Sequence, residues 1–291
     1  METLCSQTRG TVHSTFEHAL NMRFQDKLVG VLTSRSILNP ISLIADIDTF
    51  KTIGIAAGSD VKIRNEKIML SGHIAIDFSQ AIIWKPKTGV TELDLKKFHI
   101  GYRALQDFIK NTKKSGLLSL YPSLVEGEKL NTSDPFLARA FEAILRLVQK
   151  IENREKPDER DTSDLIGLGP GLTPSGDDFL CGLGCSLVWI ANTTRASCPG
   201  LSSLKESVDR CSFRTTLLSS QLLKQSFQGQ ANKAVEELLE SVFAGDPPSV
   251  ERSARRVLEL GETSGSDLML GLVLGLKAGK KILPSHFRQN S

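Results

Sequence analysis

One stretch of the sequence, residues 167–178, combines residue types that bind a small anion. It reads GLGPGLTPSGDD, with four glycines, two prolines and two adjacent carboxylates just before an apolar run. A glycine-rich loop that enters a helix presents unpaired backbone amides and the positive end of the helix dipole, which attract phosphate or carboxylate groups. Asp177 or Asp178 would then accept hydrogen bonds from an –NH2 group beside the anion, or ligate Mg²⁺ bound to it.

Two better-known phosphate loops do not fit this stretch. Gly171 and Gly176 have the spacing of a Walker loop, but Asp177 and Asp178 stand where lysine and serine or threonine are required. A dinucleotide fingerprint follows an apolar strand, whereas the segment before Gly167 is charged. The sequence therefore predicts an anion site of a different kind.

The end of this stretch recurs later in the chain. Residues 175–183 read SGDDFLCGL and residues 264–272 read SGSDLMLGL. Ser-Gly-x-Asp before an apolar run is also a capping box, which needs no ligand. That interpretation accounts for Asp178 and Asp267 but not for Asp177. If the two helices run side by side, their N-termini converge on one pocket with two sets of amides and up to three carboxylates.

The predicted site draws on both motifs and on two residues outside them. Asp177 and Asp178 are the candidate catalytic residues, together with His13 as a candidate proton shuttle. Arg214, beside two threonines, is the candidate phosphate or carboxylate clamp. A histidine paired at a sheet edge and a solvated arginine at a helix end are the alternatives. The other predicted ligand-binding residues are Gly169, Gly171, Thr173, Ser175, Gly176, Thr263, Ser264, Gly265 and Asp267.

Composition excludes several classes of protein. The 291 residues carry a net charge of +3 from 36 interspersed basic and 33 acidic side chains, which weighs against nucleic acid as a partner. No apolar run reaches the ~20 residues that span a bilayer, and residues 1–20 lack the apolar core expected of a signal peptide or a membrane anchor. We therefore expect a cytoplasmic protein with no membrane contact. The five cysteines form no zinc pattern and are expected to be buried thiols.

The predicted fold class is α+β, with a small β-rich sheet or barrel in residues 1–90. Short segments rich in isoleucine and valine alternate with turn residues, and residues 64–67 fit a hairpin turn. The spacing of Phe16, Ala19, Leu20 and Phe24 predicts one helix within this domain. The predicted strands are 28–33, 42–47, 52–57, 60–64, 67–72, 73–78 and 81–85.

Residues 91–291 are predicted to form a mainly α-helical domain that carries the GLGPGLTPSGDD loop. Residues 152–164 are strongly charged and are expected to form an exposed connection. Two of the helices are apolar and rich in glycine, which predicts tight packing within one chain or between two copies in a homo-oligomer. The predicted helices are 93–109, 136–151, 178–192, 201–210, 214–228, 231–243, 249–260 and 266–282.

Four stretches together resemble the oxamate carbamoyltransferase subunit family of bacterial allantoin breakdown. They are GTVHS (10–14), GLGPGLTPSGDD (167–178), RTTLLSSQLLKQSFQG (214–229) and GETSGSD (261–267), which occur in the family's order. The resemblance implies one subunit of a multi-protein carbamoyltransferase that exchanges a carbamoyl group between oxalurate and phosphate. It also implies a small anionic substrate and further subunits as partners. The family's second motif usually reads Gly-His-Thr-Ser-Gly, so Glu262 here alters any acid–base role of that histidine.

Three functions stay open at this point. The first is a transferase subunit with its site at the paired helix N-termini, where backbone amides of residues 175–177 or 264–266 would stabilise charge on the carbamoyl oxygen. The second is a phosphotransferase or hydrolase that uses Asp177, Asp178 and Asp267 around Mg²⁺ as a cofactor. The third is a non-catalytic scaffold or ligand-sensing subunit. No nucleophile elbow is present, so covalent catalysis is not favoured.

Overall fold

The N-terminal part of the chain is a seven-stranded sheet in the order β4-β3-β2-β1-β5-β6-β7. The computed structural model describes residues 9–195, 198 and 200–283. Neighbouring strands are antiparallel except β3 and β4, which are parallel. The strands are β1 (Arg9–Thr15), β2 (Ala19–Phe24), β3 (Lys27–Leu32), β4 (Ser42–Ile44), β5 (Asp60–Arg64), β6 (Lys67–Leu70) and β7 (Ile74–Asp77).

The helix predicted around residues 16–24 is wrong, because this segment contains strand β2. Leu20, Met22 and Phe24 alternate along the strand and are all fully buried in the core of the sheet. Apolar residues four apart fit the period of a strand as well as that of a helix, so Leu20 and Phe24 did not distinguish them. The hairpin turn at 64–67 is confirmed, with Asn65 and Glu66 both at positive φ.

Two further segments predicted as strands are irregular. Residues 52–57 form no strand, because they include Gly54 at φ 64° and end before Gly58 at φ 87°. Residues 81–85 also form no strand, and Ile82 and Ile83 are exposed. The strand order has two ends, β4 and β7, so the alternative of a closed barrel is not observed in the described chain.

The rest of the described chain is helical, which confirms the α+β class. Each segment predicted as a helix after residue 92 coincides with an observed helix over most of its length. Short 3₁₀ turns at Gly116–Leu120 and Ser212–Arg214 and a π-helical turn at Pro122–Glu126 join some of them. The helices are α1 (Leu95–Lys110), α2 (Pro135–Glu152), α3 (Glu159–Ser163), α4 (Ser175–Thr194), α5 (Leu201–Cys211), α6 (Leu217–Ser226), α7 (Lys233–Ala244), α8 (Pro247–Leu258) and α9 (Ser264–Ile282).

The charged segment 152–164 is not simply an exposed connection. It contains α3, and the carboxylate of Asp161 is fully buried. Arg146 and Lys150 of α2 donate to this carboxylate at 3.0 and 2.7 Å. A buried charge is stable only when it is paired and hydrogen-bonded, so the sequence places two cations opposite it. This ion-pair cluster fastens the chain to α2 just before the glycine-rich loop.

Helices α4 and α9 cross at two glycines. A Cβ on Gly182 would lie 2.2 Å from the carbonyl oxygen of Leu268, and a Cβ on Gly271 would lie 2.0 Å from that of Phe179. Larger residues at either position would hold the backbones apart. The predicted pair of buried, glycine-rich helices is therefore present, and the close packing lies within one chain.

The chain divides between Lys85 and Pro86 into two compact units. The sequence-based boundary at residues 90/91 stays a prediction. In the described part of the chain, no helix is both long enough and apolar enough to cross a membrane.

Candidate functional site

The repeated Ser-Gly-x-Asp motifs form equivalent structures at the starts of α4 and α9. The amide of Gly176 donates to the carbonyl oxygen of Leu168, and the amide of Gly265 donates to that of Leu260, both at 2.9 Å. Neither glycine has room for a side chain, because a Cβ would lie 2.0 Å from a backbone oxygen at Gly176 and 2.1 Å at Gly265. The internal repeat of the sequence is thus also a repeat of local structure.

The capping-box interpretation of these motifs is not observed. The N-cap of α4 is Pro174 and that of α9 is Thr263, and neither side chain caps the first turn in the described structure. Ser175 and Ser264 are instead the first residues inside their helices. Their hydroxyls are therefore available for contacts other than the caps of their own helices.

Asp177 is completely buried and anchors the glycine-rich loop. Its Oδ1 accepts the amide of Gly167 at 2.9 Å, and its Oδ2 accepts the hydroxyls of Thr215 and Ser219, the latter at 2.7 Å. Burial raises the pKa of Asp177, and these three donors oppose that increase. Gly167 has φ 75°, and a Cβ there would lie 2.7 Å from the carbonyl oxygen of Arg214. The carboxylate thus ties the loop to the start of α6.

These contacts predict a structural effect for Asp177→Ala. One buried and two half-buried donors would lose their acceptor, so we expect the free energy of unfolding to fall by about 2–4 kcal/mol. Urea denaturation measures this, with the exposed Asp209→Ala on α5 as the matched control. An Asp177→Ala protein that unfolds like the control but no longer binds ligand would contradict the anchoring role and favour the catalytic role predicted from the sequence.

Asp178 and Asp267 occupy equivalent positions and are buried without complete hydrogen bonding. Asp178 is 7% exposed and Asp267 is 0% exposed. Oδ2 of each carboxyl group has no hydrogen-bond partner among the described residues. Oδ1 of Asp267 accepts the amide of Leu117 at 2.6 Å. Gly116 allows this contact, since a Cβ there would lie 2.3 Å from the same oxygen. Two buried carboxyl oxygens are therefore free to accept hydrogen bonds.

The pKa of Asp178 lies well above its ordinary value. Burial is the main cause, and the negative charges of Asp267 and Asp177 add to it. The hydroxyls of Ser264 and Thr173 act in the opposite direction. Ser264 belongs to the second motif, so the carboxyl group of one motif interacts with the first serine of the other.

Asp267 shows the reciprocal arrangement. Burial raises its pKa, against the amide of Leu117 and the hydroxyls of Ser175 and Thr263. Ser175 is the first residue of the first motif. The first serine of each motif thus acts on the pKa of the carboxyl group of the other motif, and the negative charge of Asp267 raises the pKa of Asp178.

Further hydroxyls lie between the two motifs. The Oγ1 atom of Thr173 and the Oγ atom of Ser264 are 3.0 Å apart. Ser266, which stands where the first motif has Asp177, hydrogen-bonds Ser115 at 2.8 Å. The surroundings of the carboxyl pair are therefore polar and rich in groups that both donate and accept.

Several of the amides assigned to an anion already donate within the fold. Besides Gly176 and Gly265, the amide of Asp177 donates to the carbonyl oxygen of Pro174. Ser175 and Ser264 stand at the first position of their helices, where an amide has no acceptor in its own helix. These two amides remain the best candidates for contact with an oxyanion. Gly169 is half-buried and Gly171 is exposed in the loop ahead of them.

His13 and Arg214 lie outside the motif pair. His13 is an exposed residue in the bulge of β1, and its Nδ1 is 3.2 Å from the hydroxyl of Ser14. It belongs to the N-terminal unit. Arg214 is exposed at the end of a 3₁₀ turn, and its backbone carbonyl lies against Gly167 of the loop. Their predicted roles as proton shuttle and clamp stay predictions.

The carboxylates do not form a metal-binding set. Within residues 9–195, 198 and 200–283, no group of three or more His, Cys, Asp or Glu side chains is arranged to hold a metal ion. Asp177 already receives three hydrogen bonds, which leaves it poorly suited to share a cation with Asp178 and Asp267. This donor set gives the Mg²⁺ alternative no structural support.

Sequence reasoning missed several residues that build the site. Thr215 and Ser219 were not assigned a role, although both lie in the RTTLLSS stretch that carries the family resemblance. Ser115, Gly116 and Leu117 carried no signal, because their contacts come from a short 3₁₀ turn far away in sequence. In the sequence, the only indication of these contacts is the pair of threonines that follows Arg214.

Two open grooves lie elsewhere in the helical unit. One borders the start of α1 and the end of α7, near Leu95 and Phe243. The other runs between α1 and α8, near Phe108 and Glu251. None of the predicted site residues lines either groove. Since the carboxyl pair has unsatisfied buried oxygens, we regard it as the stronger candidate for specific binding.

The fold and the site define a class of α+β protein in which two helices begin with the same motif, cross at glycines and bring two carboxyl groups together. Residues 165–276 match the family model described as oxamate carbamoyltransferase subunit AllH, and residues 1–83 match the one described as the AllH family N-terminal domain. The chain therefore belongs to the oxamate carbamoyltransferase subunit AllH family. No solved structure matches the chain.

Proposed function

We propose that this chain is the carbamoyltransferase subunit that binds a small anionic, amide-containing ligand at the N-termini of α4 and α9. The observation that carries the proposal is the pair of buried Oδ2 atoms of Asp178 and Asp267, which have no partner among the described residues. Both motifs lie inside the segment matched by the carbamoyltransferase subunit model. Buried, unsatisfied polar atoms are uncommon and point to a missing ligand or water.

Oxamate, oxalurate and carbamoyl phosphate have the chemistry that this site would recognise. Each combines an oxyanion with amide N–H groups. The amides of Ser175 and Ser264 and the positive ends of two helix dipoles favour the oxyanion. The two carboxyl groups favour the N–H donors. In the transition state the same amides would stabilise negative charge that develops on the carbamoyl oxygen.

The remaining predicted residues are assigned supporting roles in this proposal. Arg214 would neutralise the phosphate or carboxylate of the ligand. Asp177 holds the loop in place through Gly167, Thr215 and Ser219. The family description as a subunit implies that further subunits complete the enzyme.

A ligand-sensing role is the second candidate function. Its basis is Glu262, which occupies the position of the histidine in the usual second motif and is exposed. A carboxylate does not offer the same donor and acceptor nitrogens as an imidazole, so Glu262 does not reproduce the role of that histidine. In this case the chain would bind the ligand and leave the transfer of the carbamoyl group to other subunits.

Isothermal titration of the full chain with oxamate, carbamoyl phosphate and phosphate tests the proposal. We expect saturable binding of the first two that is strongly weakened in Asp178→Asn and unchanged in Asp209→Asn. Parallel titrations with Mg²⁺ and with EDTA test the metal-dependent alternative. Absence of binding both by the chain and by the complex with its partner subunits would contradict the proposal. Carbamoyl transfer by the chain alone would exclude the ligand-sensing role.

A further inference from the structure

We infer that Asp178 and Asp267 together recognise the –NH2 nitrogen of a carbamoyl or primary-amide group, each Oδ2 accepting one of its two N–H bonds. This inference rests on the proposed function and makes it more specific. It assigns selectivity to two named carboxyl groups, and it predicts that the site rejects ligands of the same shape and charge that carry a methyl group in place of –NH2.

The crossing of α4 and α9 places the two carboxyl groups together. Gly182 packs against the carbonyl of Leu268, and Gly271 packs against the carbonyl of Phe179. These two carbonyls belong to the residues that directly follow Asp267 and Asp178. Close backbone contact between the two helices therefore begins at Phe179 and Leu268, one residue after each carboxyl group, and continues to Gly182 and Gly271.

The neighbouring positions of both motifs are already occupied within the fold. Asp177 receives three hydrogen bonds, from Gly167, Thr215 and Ser219. Ser266, its counterpart in the second motif, is bonded to Ser115. Asp178 and its counterpart Asp267 differ from them, because each keeps one buried oxygen without a partner. The acceptors that keep no partner among the described residues are thus two equivalent oxygens, Oδ2 of Asp178 and Oδ2 of Asp267, one from each motif.

A primary amide matches this pair of acceptors. Its planar –NH2 group carries two N–H bonds that point in different directions, so one nitrogen can donate to two acceptors on opposite sides. A methyl group donates none, and a hydroxyl group donates only one. The ligand nitrogen is uncharged, yet its two donors would relieve the unfavourable burial of both carboxylates.

The alternative to a carboxylate that accepts hydrogen bonds is a protonated Asp178 that donates one. A protonated Asp178 would donate to an oxygen of the ligand, and it would then not discriminate between –NH2 and methyl. Asp267, Asp177 and Cys181 are the titratable groups that interact with Asp178. Asp267 and Asp177 repel a negative charge on Asp178, and the buried thiol of Cys181 is neutral, so the carboxylate form depends on donors such as Ser264, Thr173 and the N–H groups of the ligand. The selectivity for –NH2 therefore separates the two arrangements.

Oxamate and pyruvate provide the test, because pyruvate has the same carboxylate and carbonyl groups with a methyl in place of –NH2. We measure the affinity of the full chain, or of its complex with partner subunits, for both by isothermal titration. Sites built to hydrogen-bond a substrate N–H reject analogues that lack it strongly, so we expect pyruvate to bind at least about 100-fold more weakly. Carbamoyl phosphate and acetyl phosphate form a second pair of this kind.

The variants Asp178→Asn and Asp267→Asn test the residues. Asparagine keeps the volume, and at position 267 its oxygen can still accept the amide of Leu117. Its –NH2 group replaces the Oδ2 acceptor by a donor, so we expect the preference for oxamate over pyruvate to fall towards one in each variant. The exposed Asp209→Asn is the matched control and should keep the preference. Because the measured quantity is a ratio, a variant that folds less well does not mimic the expected result.

Three outcomes would overturn this inference or the proposal beneath it. Equal binding of oxamate and pyruvate by the unaltered chain would exclude recognition of –NH2 and leave the proposed ligand site standing. A preference for oxamate that persists in both asparagine variants would place the recognition elsewhere. Binding of neither ligand, in the chain or in its complex, would contradict the proposed function itself.

Discussion

Asp178→Asn should raise the melting temperature of the protein at pH 8 while it weakens the binding of oxamate to about that of pyruvate. Asp178 is buried, and its Oδ2 has no hydrogen-bond partner among the described residues. An unsatisfied buried group costs about 1–3 kcal/mol, and more when it is charged. Asparagine removes the charge at nearly constant volume. We therefore expect a gain of several degrees, at the expense of function, as is common where a binding site is strained.

The gain should depend on pH with a definite sign. Burial, with the charges of Asp267 and Asp177, raises the pKa of Asp178 in the folded protein well above the ordinary value. The folded state then holds the proton more tightly than the unfolded state. The favourable contribution of Asp178 is complete below the ordinary pKa of about 4, and it is lost as pH rises through the folded pKa. The difference in stability between Asp178→Asn and the unaltered protein should thus vanish near pH 4 and grow towards neutral pH.

Thermal melting of both proteins from pH 4 to pH 8 measures this difference. Asp267 and Asp177 also have raised pKa values, so the stability of each protein varies with pH by itself. Subtraction of the two curves isolates the contribution of residue 178. Asp209→Asn should show no such difference, because Asp209 is exposed. A variant that is less stable than the unaltered protein at pH 8 would show that the Asp178 carboxylate is satisfied within the fold.

The fold class could be predicted because local signals and packing agree. The glycine spacing of residues 175–183 and 264–272 reflects the crossing of α4 and α9, and the repeat in the sequence became a repeat in space. The error at residues 16–24 has a simple cause. Leu20 and Phe24 fit both periods, and only Met22 between them, fully buried, distinguishes the strand.

The sequence predicted where the candidate site lies in the chain, but not which of its carboxyl groups holds the loop and which keeps a free oxygen. Asp177 and Asp178 are adjacent and chemically identical, and their sequence context does not separate them. What distinguishes the two aspartates is the pair Thr215 and Ser219, which lie 38 and 42 residues after Asp177 and donate hydrogen bonds to its carboxylate. Asp267 likewise meets the Leu117 amide across 150 residues. Such contacts depend on the tertiary fold, so local spacing carries no information about them.

Gly271→Ala should have the largest effect on the stability of the helical unit. The new Cβ would lie 2.0 Å from the carbonyl oxygen of Phe179. The backbone carbonyl of Phe179 cannot rotate away from the new methyl group as a side chain could, so α4 and α9 must move apart. Overpacking typically costs about 1–3 kcal/mol and sometimes more, and we expect the upper end of this range, or a fall in melting temperature on the order of 10 °C.

Gly184→Ala is the matched control for this substitution. This variant introduces the same methyl group, here on α4. Its Cβ meets the ring of the buried Phe227 at 2.8 Å, which is a side chain rather than backbone. We expect a clearly smaller loss of stability in this variant. Equal melting temperatures for the two variants would mean that the helix crossing tolerates expansion and that backbone contact does not set its width.

The same substitution connects the crossing to the ligand. Displacement at Gly271 occurs next to Phe179, whose neighbour is Asp178, so a wider crossing would also separate Asp178 from Asp267. A ligand nitrogen that bridges both carboxyl groups needs a fixed separation, and small displacements at a binding site have large effects on affinity. We therefore expect Gly271→Ala to lose most of its preference for oxamate over pyruvate at a temperature where it is still folded, whereas Gly184→Ala keeps it. A folded Gly271→Ala protein with the full preference would show that one helix start recognises –NH2 without the other.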